Sequence, residues 1–227
     1  MIATQHEYDS YSLKHSARVA KLARMLGSAL KLDVALVEIQ REGLKAMLLS
    51  RIPLAYFLAF LYNSYSPELL YFFHDVTLFT SDDVLTDGIA ARLQFARSIL
   101  ITYIERDSPL EINIDAAVRD QVRSDIRKTC LDGCFDAARL HVLELLETLF
   151  AEFVRSEMYQ ILLQDSDSTS VFAVDSRLKA YAVLQSAISK NARSSSPRIA
   201  KSKMQMNVLL VQFCTRVLEI GPDGKTC

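Results

Sequence analysis

Apolar residues recur at steps of three and four along most of this chain, and residues that interrupt helices are rare. Only 6 Gly and 5 Pro occur among its 227 residues. A sandwich or barrel of many short strands needs frequent turn residues, so this scarcity argues against such folds. Apolar residues at three- and four-residue steps instead form one face of an α-helix. The sequence therefore predicts an all-α fold of about nine helices.

The predicted helices begin and end at recognisable signals. The strongest is the run Ser66, Pro67 and Glu68, which supplies a capping residue, a proline for the first turn and an acid near the positive helix end. A bend is predicted near Thr148. Helices are predicted over residues 12–30, 34–48, 53–62, 67–79, 89–104, 116–129, 135–159, 171–192 and 199–220.

Composition and charge exclude several classes of protein. Lys and Arg sum to 26 and Asp and Glu to 27, so the net charge of −1 gives no general attraction to nucleic acid. No segment approaches the roughly 20 apolar residues of a membrane span, and the first ten residues lack a secretion signal. Four cysteines in so long a chain are not a disulfide framework, which favours the reducing cytosol.

Four segments of the chain follow one another in a recognisable order and spacing. They are PLAYFLAFLYNSYSPELLYFF, ARSILITYIERDSPLEINID, CFDAARLHVLELL and FVRSEMYQILL. In EINID, at the end of the second segment, two isoleucines alternate with polar residues around Asn113. Together the segments, over residues 48–165, resemble the RGS (regulator of G-protein signalling) homology domain.

The resemblance implies an RGS-like helical bundle with further helices at both ends. We expect an N-terminal helical extension at residues 1–47, the RGS-like domain at 48–165 and a C-terminal helical extension at 166–227. The apolar stripes of the two extensions need burial and the connections are short, so both extensions are expected to pack on the terminal lobe of the domain.

The same resemblance implies a function without bond chemistry of the chain's own. RGS domains bind the α subunit of a heterotrimeric G protein and speed its GTP hydrolysis by stabilising the switch segments. The expectation is therefore a non-enzymatic regulator with a protein partner, without cofactor, small-molecule substrate or nucleic acid. Its expected location is the cytosol, with peripheral contact at the inner face of the plasma membrane as an open alternative.

Eight residues fall on positions that contact the partner in the family, within three loops. The first loop departs from the family pattern at Ser64, where an acid is usual, and at Leu69, where asparagine is usual. In the third, Glu152 lies near a position that is typically basic. The residues are Ser64, Tyr65, Ser66, Glu68 and Leu69 in the first loop, Asn113 in the second, and Thr148 and Glu152 in the third.

These departures keep a second function open. A charge reversal at an interface can cost several kcal/mol, so GTPase acceleration does not follow from the fold. The alternative is a scaffold or adaptor that uses a degenerate RGS fold to bind another protein, without GTPase-activating activity.

Other chemistry has weaker support in the sequence. The pair His74 and Asp75 has no further ligands at metal-site spacing, and the same holds for Cys130 and Cys134. The aromatic residues of 56–73 other than Tyr65 are interpreted as core rather than as a ligand pocket. Five basic residues around a Ser-rich break are interpreted as a solvated face, with binding of anionic lipid or phosphorylation as the alternative; they are Lys190, Arg193, Arg198, Lys201 and Lys203.

Overall fold

A computed structural model of the chain describes residues 34–81, 88–165, 174–191, 206–218 and 220. These residues confirm the all-α prediction, while the predicted helix 12–30 lies outside them. Residues 206–213 are also helical and continue into a π-helical segment, Cys214–Leu218. The other helices, named α1 to α9 in chain order, are Leu36–Glu42, Leu44–Leu49, Ile52–Asn63, Pro67–Phe79, Ile89–Ile99, Ala116–Arg127, Asp136–Phe153, Glu157–Asp165 and Val174–Asn191.

The prediction of one helix over 34–48 is wrong, because Gly43 divides it into α1 and α2. Gly43 has φ 64° and ψ −140°, a conformation that residues with a Cβ rarely adopt. Its N–H still donates to the carbonyl of Ile39 at 2.9 Å, which ends α1. Glycine therefore allows the chain to turn here despite a continuous helical pattern of apolar residues.

Helix α5 does not stop at Ile99 but widens into a π-helical turn, Leu100–Ile104. Two carbonyls of this turn accept hydrogen bonds from the loop that follows. Leu110 N–H donates to Thr102 O at 3.1 Å, and Ile112 N–H donates to Tyr103 O at 2.9 Å. The turn thereby fixes the loop that contains Asn113.

Helix α3 lies at the centre of one lobe, and ten of its twelve residues are buried. Helices α8 and α9 both pack against it, and α2 contacts its beginning. In α9, Ala180, Leu184 and Ala187 are at most 2% exposed, and their spacing places them on one face of the helix. This face is the part of α9 that covers α3.

Asp165 joins three helices of this lobe. Tyr56 in α3 donates its hydroxyl hydrogen to Asp165 Oδ2 at 2.6 Å, and Lys179 Nζ in α9 lies 3.3 Å from Asp165 Oδ1. Burial, together with this carboxylate, raises the pKa of Tyr56, so the hydroxyl remains a donor. Lys179 is half-exposed, so its ion pair contributes little, and the bond from Tyr56 is the stronger link.

Helices α4 to α7 form a second bundle around edge-to-face aromatic pairs. The ring centroids of Phe72 and Tyr103 lie 5.6 Å apart, and those of Phe79 and Phe135 lie 5.3 Å apart. Tyr103 donates its hydroxyl hydrogen to Asp75 Oδ2 at 2.7 Å. Asp75, one half of the His-Asp pair noted in the sequence, therefore anchors a core tyrosine.

Aromatic rings from α3 and α7 join the two lobes. Phe57 lies 5.9 Å from Phe150 and 5.3 Å from Phe153, and Phe60 lies 5.5 Å from Phe153, all between ring centroids. Such pairs add about 0.5–1.5 kcal/mol each beyond the area that they bury. Apart from Tyr65, the aromatic residues of 56–73 thus belong to the core or pack against it, as their pattern predicted.

Three further sequence features remain: the apolar segments, the basic stretch and the cysteines. Within the described ranges, no helix has both the length and the apolar character needed to cross a membrane. Arg193, Arg198, Lys201 and Lys203 of the basic stretch lie outside the described residues, as does the side chain of Lys190. Cys130 is exposed and free, whereas Cys134 is free and buried.

Candidate functional site

The turn between α3 and α4 projects Tyr65 into solvent. Tyr65 is 80% exposed and has φ 56°, in the left-handed region that bulky residues avoid. Two hydrogen bonds close the turn around it: Ser66 N–H donates to Leu61 O at 2.9 Å, and Ser66 Oγ donates to Ser64 O at 3.2 Å. The hydroxyl of Ser66 is thus used within the turn and does not cap α4 as the sequence predicted.

A buried tyrosine pair fixes the two helices below this turn. The hydroxyls of Tyr62 and Tyr71 are 2.9 Å apart, and their rings meet edge to face with centroids 6.4 Å apart. Burial raises the pKa of Tyr62 to about 12, so the pair stays protonated. The turn therefore rests on a rigid base.

Glu68 and Leu69 follow the turn in the first helical turn of α4. Glu68 is half-buried, and burial raises the pKa of its carboxyl to about 7, although a hydrogen bond from its own backbone N–H opposes the rise. Leu69 is 6% exposed and belongs to the core. The structure therefore removes Leu69 from the predicted contact residues, because its side chain is not presented to a partner.

The loop before α6 presents Asn113 between two buried isoleucines. Ile112 is 1% exposed and Ile114 is 7% exposed, whereas Asn113 is exposed. The carbonyl oxygen of Asn113 lies 2.9 Å from Nε2 of His141 in α7, which donates the hydrogen in the tautomer protonated there. The backbone at Asn113 is thus held from both sides while its amide remains outside.

The third region, a loop by resemblance to the family but part of the helix predicted over 135–159, is helical in the structure. Helix α7 runs unbroken from Asp136 to Phe153, through Thr148 and Glu152, so neither lies in a loop. Thr148 Oγ1 donates to Glu144 O at 3.1 Å, a hydrogen bond within the helix. The apolar pattern of the segment outweighs the modest helix propensity of threonine. Thr148 and Glu152 are both exposed on this helix.

Helix α7 brings the second and third predicted regions together. At about 100° per residue, Thr148 and Glu152 each lie within about 20° of His141 around the helix, on opposite sides of it. The face that holds Asn113 at its beginning therefore carries Thr148 about 10 Å and Glu152 about 16 Å further along, at about 1.5 Å per residue.

Helix α3, which ends at the first turn, packs on the same helix. Phe60 of α3 contacts Phe153 near the end of α7, with ring centroids 5.5 Å apart. Helix α7 thus contacts both the helix that leads into the Tyr65 turn and the backbone of Asn113.

The contact of His141 with the Asn113 loop does not follow from the sequence pattern. The two residues are 28 positions apart in the sequence, so only the packing of the loop on α7 reveals the contact.

The fold places the chain among the RGS-like helical domains. The solved structure of the RGS-like domain from PDZ-RhoGEF matches it with a TM-score of 0.51, at 15% sequence identity, over 71% of this chain and 89% of that one. This likeness concerns the fold alone.

The chain belongs to the family described as Regulator of G protein signaling domain, which matches residues 43–162. Regulator of G-protein signaling 13 of Mus musculus is 26% identical over 160 residues, which are 69% of this chain and 98% of that protein. Regulator of G-protein signaling 8 of the same species is 31% identical over 126 residues, 55% of this chain and 67% of that protein. The human Regulator of G-protein signaling 13 is 34% identical over 83 residues, 36% of this chain and about half (52%) of that protein.

Proposed function

We propose that this chain binds a G-protein α subunit and speeds its GTP hydrolysis. The observation that carries the proposal is the hydrogen bond between Asn113 O and His141 Nε2, at 2.9 Å. It holds an exposed amide beside the exposed face of α7, while α3, which leads into the Tyr65 turn, packs on the other end of the same helix.

The proposed mechanism is preorganisation. The amide of Asn113 can donate and accept hydrogen bonds at once, so it suits a polar side chain such as the partner's water-orienting glutamine. Tyr65 supplies a large contact area on a turn that needs no ordering when the partner binds. With its switch segments held in their transition-state shape, the partner would hydrolyse GTP faster, and this chain would not need to insert an arginine into the partner's active site.

Single-turnover GTP hydrolysis by a panel of purified α subunits tests this function. We expect faster hydrolysis with at least one α subunit, and tighter binding to its form loaded with GDP and aluminium fluoride, which mimics the transition state. Equal hydrolysis rates with and without the protein across the panel would refute acceleration, and no binding to any form would refute the partner.

Asn113→Ala tests the site without changing the stability of the fold. It should lower the acceleration about tenfold or more, because one preorganised donor is lost. Gln160→Ala removes another exposed amide, on α8, and is the matched control. Both variants should keep the melting temperature of the wild type.

A scaffold that binds a different protein is the second candidate. The continuous α7 and the burial of Leu69 favour it, because they change two of the three predicted contact regions. Retained binding to a non-G-protein partner in Asn113→Ala, with no α subunit bound by the wild type, would decide for the scaffold.

A cytosolic location within reach of the inner membrane face belongs to the first proposal. Fractionation of cells that express the tagged chain, with and without an activated α subunit, would test it. We expect the α subunit to move part of the chain to the membrane fraction.

A further inference from the structure

An open cavity lies between the loop before α6 and the first turns of that helix. Its volume is about 330 Å³, at the lower end of the roughly 300–1,000 Å³ that is typical of small-molecule sites. None of its lining residues is among the predicted contact residues for a partner. They are Arg106, Asp107, Glu111, Ile114, Ala116 and Arg119. The cavity is therefore a feature that the proposed function leaves unexplained.

The cavity is lined by a buried guanidinium group with unused donors. Arg119 is 8% exposed, and its Nη1 donates to Glu111 Oε1 at 2.9 Å. This is its one hydrogen bond to the described residues, although a guanidinium has five N–H groups, and its Nε is buried without a partner. Buried donors in folded proteins are nearly always paired with protein, water or ligand atoms. Arg119 therefore has hydrogen-bonding capacity that the fold does not use.

The two acidic residues of the cavity have different roles. Both oxygens of Glu111 accept hydrogen bonds from the protein, Oε1 from Arg119 and Oε2 from the backbone N–H of Asp107 at 2.9 Å. Glu111 thus holds the Arg119 side chain against the loop, and its own charge is compensated there. Asp107 is exposed and opposes an anion in the cavity. Arg106, also exposed, forms no ion pair within the described ranges, so its guanidinium is available to a ligand.

The start of helix α6 adds backbone donors to the cavity. Ala116 is the first residue of this helix of 12 residues. The first turn has no acidic residue, and the side chain of Asp115 forms no capping hydrogen bond. The N–H groups of a first helical turn have no partners within the helix and carry a partial positive charge, which is why such ends bind phosphate. Arg119 lies one turn further along, so backbone donors and its guanidinium border the same cavity.

We propose that the cavity binds the phosphate group of a small, soluble phosphate monoester. A phosphate has several acceptor oxygens, so it can pair at once with the guanidinium groups of Arg106 and Arg119 and with N–H groups at the start of α6. The remaining volume accommodates a short organic part beside Ile114. Asp107 and Asp115 are both exposed and would repel an extended anionic surface, which favours a soluble ligand over a membrane. This inference does not depend on the proposed function.

Titration of the full chain with glycerol 3-phosphate, followed by NMR of its backbone amides, tests the site. We expect saturable shifts at Ala116 and Ala117, weaker binding of inorganic phosphate, and no shifts with glycerol. Shifts that do not saturate, or that leave out these two amides, would mean an adventitious ion only and would overturn the site. Vesicles that contain phosphatidylserine are the membrane probe, and binding to them without binding of glycerol 3-phosphate would overturn the inference as well.

Two variants at the cavity should change the affinity for glycerol 3-phosphate in opposite directions. Arg106→Gln should weaken binding about tenfold, because a charge-assisted pair is lost. Asp107→Asn should tighten binding, because a like charge is removed, and asparagine suits the left-handed backbone of this residue, at φ 61°. Arg97→Gln removes an exposed arginine of α5 and is the control, which should bind as the wild type does.

The melting temperatures of these variants separate binding from folding. We expect all three to match the wild type, because none of the replaced side chains is buried. A loss and a gain of affinity at unchanged melting temperature cannot both come from damage to the fold. Equal affinities of Arg106→Gln, Asp107→Asn and the wild type would overturn the site.

Discussion

Tyr65 keeps a left-handed backbone, at φ 56°, that costs a residue with a Cβ about 1–2 kcal/mol. Because its ring is 80% exposed, the fold gains little burial in return. We expect Tyr65→Gly to remain within about 1 kcal/mol of the wild type, since glycine relieves the strain but has a more flexible unfolded chain. Partner binding should fall about tenfold, because an aromatic anchor is lost. Urea unfolding and titration calorimetry measure the two effects; a stable variant with intact binding would remove Tyr65 from the surface.

Glu68 should make stability depend on pH between about 4.5, its ordinary pKa, and about 7, its pKa in the fold. Within that window the unfolded chain releases the proton and the folded chain retains it, so stability falls as pH rises and the contribution is lost above pH 7. Glu68→Gln stays neutral and should be more stable than the wild type by about 1–3 kcal/mol at pH 8, and equal at pH 4. Urea unfolding across this range checks the prediction; parallel pH profiles would contradict it.

Single residues were predictable where a local rule decides their environment. The alternation in EINID placed Ile112 and Ile114 inside and Asn113 outside, as the structure confirms. Leu69 was predicted as a contact residue from its place in the family pattern. An apolar side chain in the first turn of a buried helix packs inward instead. No local pattern predicts the contact of His141 with Asn113, because it depends on the packing of segments that are distant in the sequence.

The ends of the helices were predicted correctly where a single residue type sets the boundary, and wrongly where it does not. Pro67 marks the start of α4 as predicted, since proline fits the first turn and lacks the N–H that a later position needs. The break at Gly43 was missed because the apolar stripe continues across it. The helix predicted over 135–159 is also divided, but between Phe153 and Glu157 rather than at the bend predicted near Thr148.

The junction between α1 and α2 depends on the backbone freedom of Gly43. A Cβ there would lie 3.8 Å from Cε1 of Phe150, an ordinary contact, so the cost of Gly43→Ala comes from its φ of 64° rather than from a clash. We expect a loss of about 1–3 kcal/mol. Ser98→Ala, on the exposed side of α5, is the control and should change stability by less than about 0.5 kcal/mol. Urea unfolding measures both, and equal stabilities would show that the junction adapts to alanine.

The family match does not coincide with the folded unit that we propose. The match ends at residue 162, yet α9 lies beyond it and covers α3, and Asp165 joins α3, α8 and α9. The apolar stripe of α9 indicated this burial, because an amphipathic helix needs a surface to cover. We propose that the C-terminal helical extension, from residue 166, folds together with 48–165 rather than as a separate domain.

Removal of α9 tests this unity of the whole molecule. A chain that ends at residue 165 would expose the side of α3 that Ala180, Leu184 and Ala187 cover, and we expect it to aggregate or to unfold without a cooperative transition.

In the full chain, Leu184→Ala should lower the free energy of unfolding by about 2–4 kcal/mol, because loss of the fully buried side chain leaves a cavity against α3. Ser186→Ala, two residues later on the exposed side of the same helix, should lower the free energy of unfolding by less than about 0.5 kcal/mol. Urea unfolding of the variants and limited proteolysis of the full chain measure these effects. Release of a stable 48–165 fragment with wild-type unfolding behaviour would show that the extension is a separate domain. If no such fragment is released, α3, which leads into the Tyr65 turn, depends on a helix that lies beyond the family match.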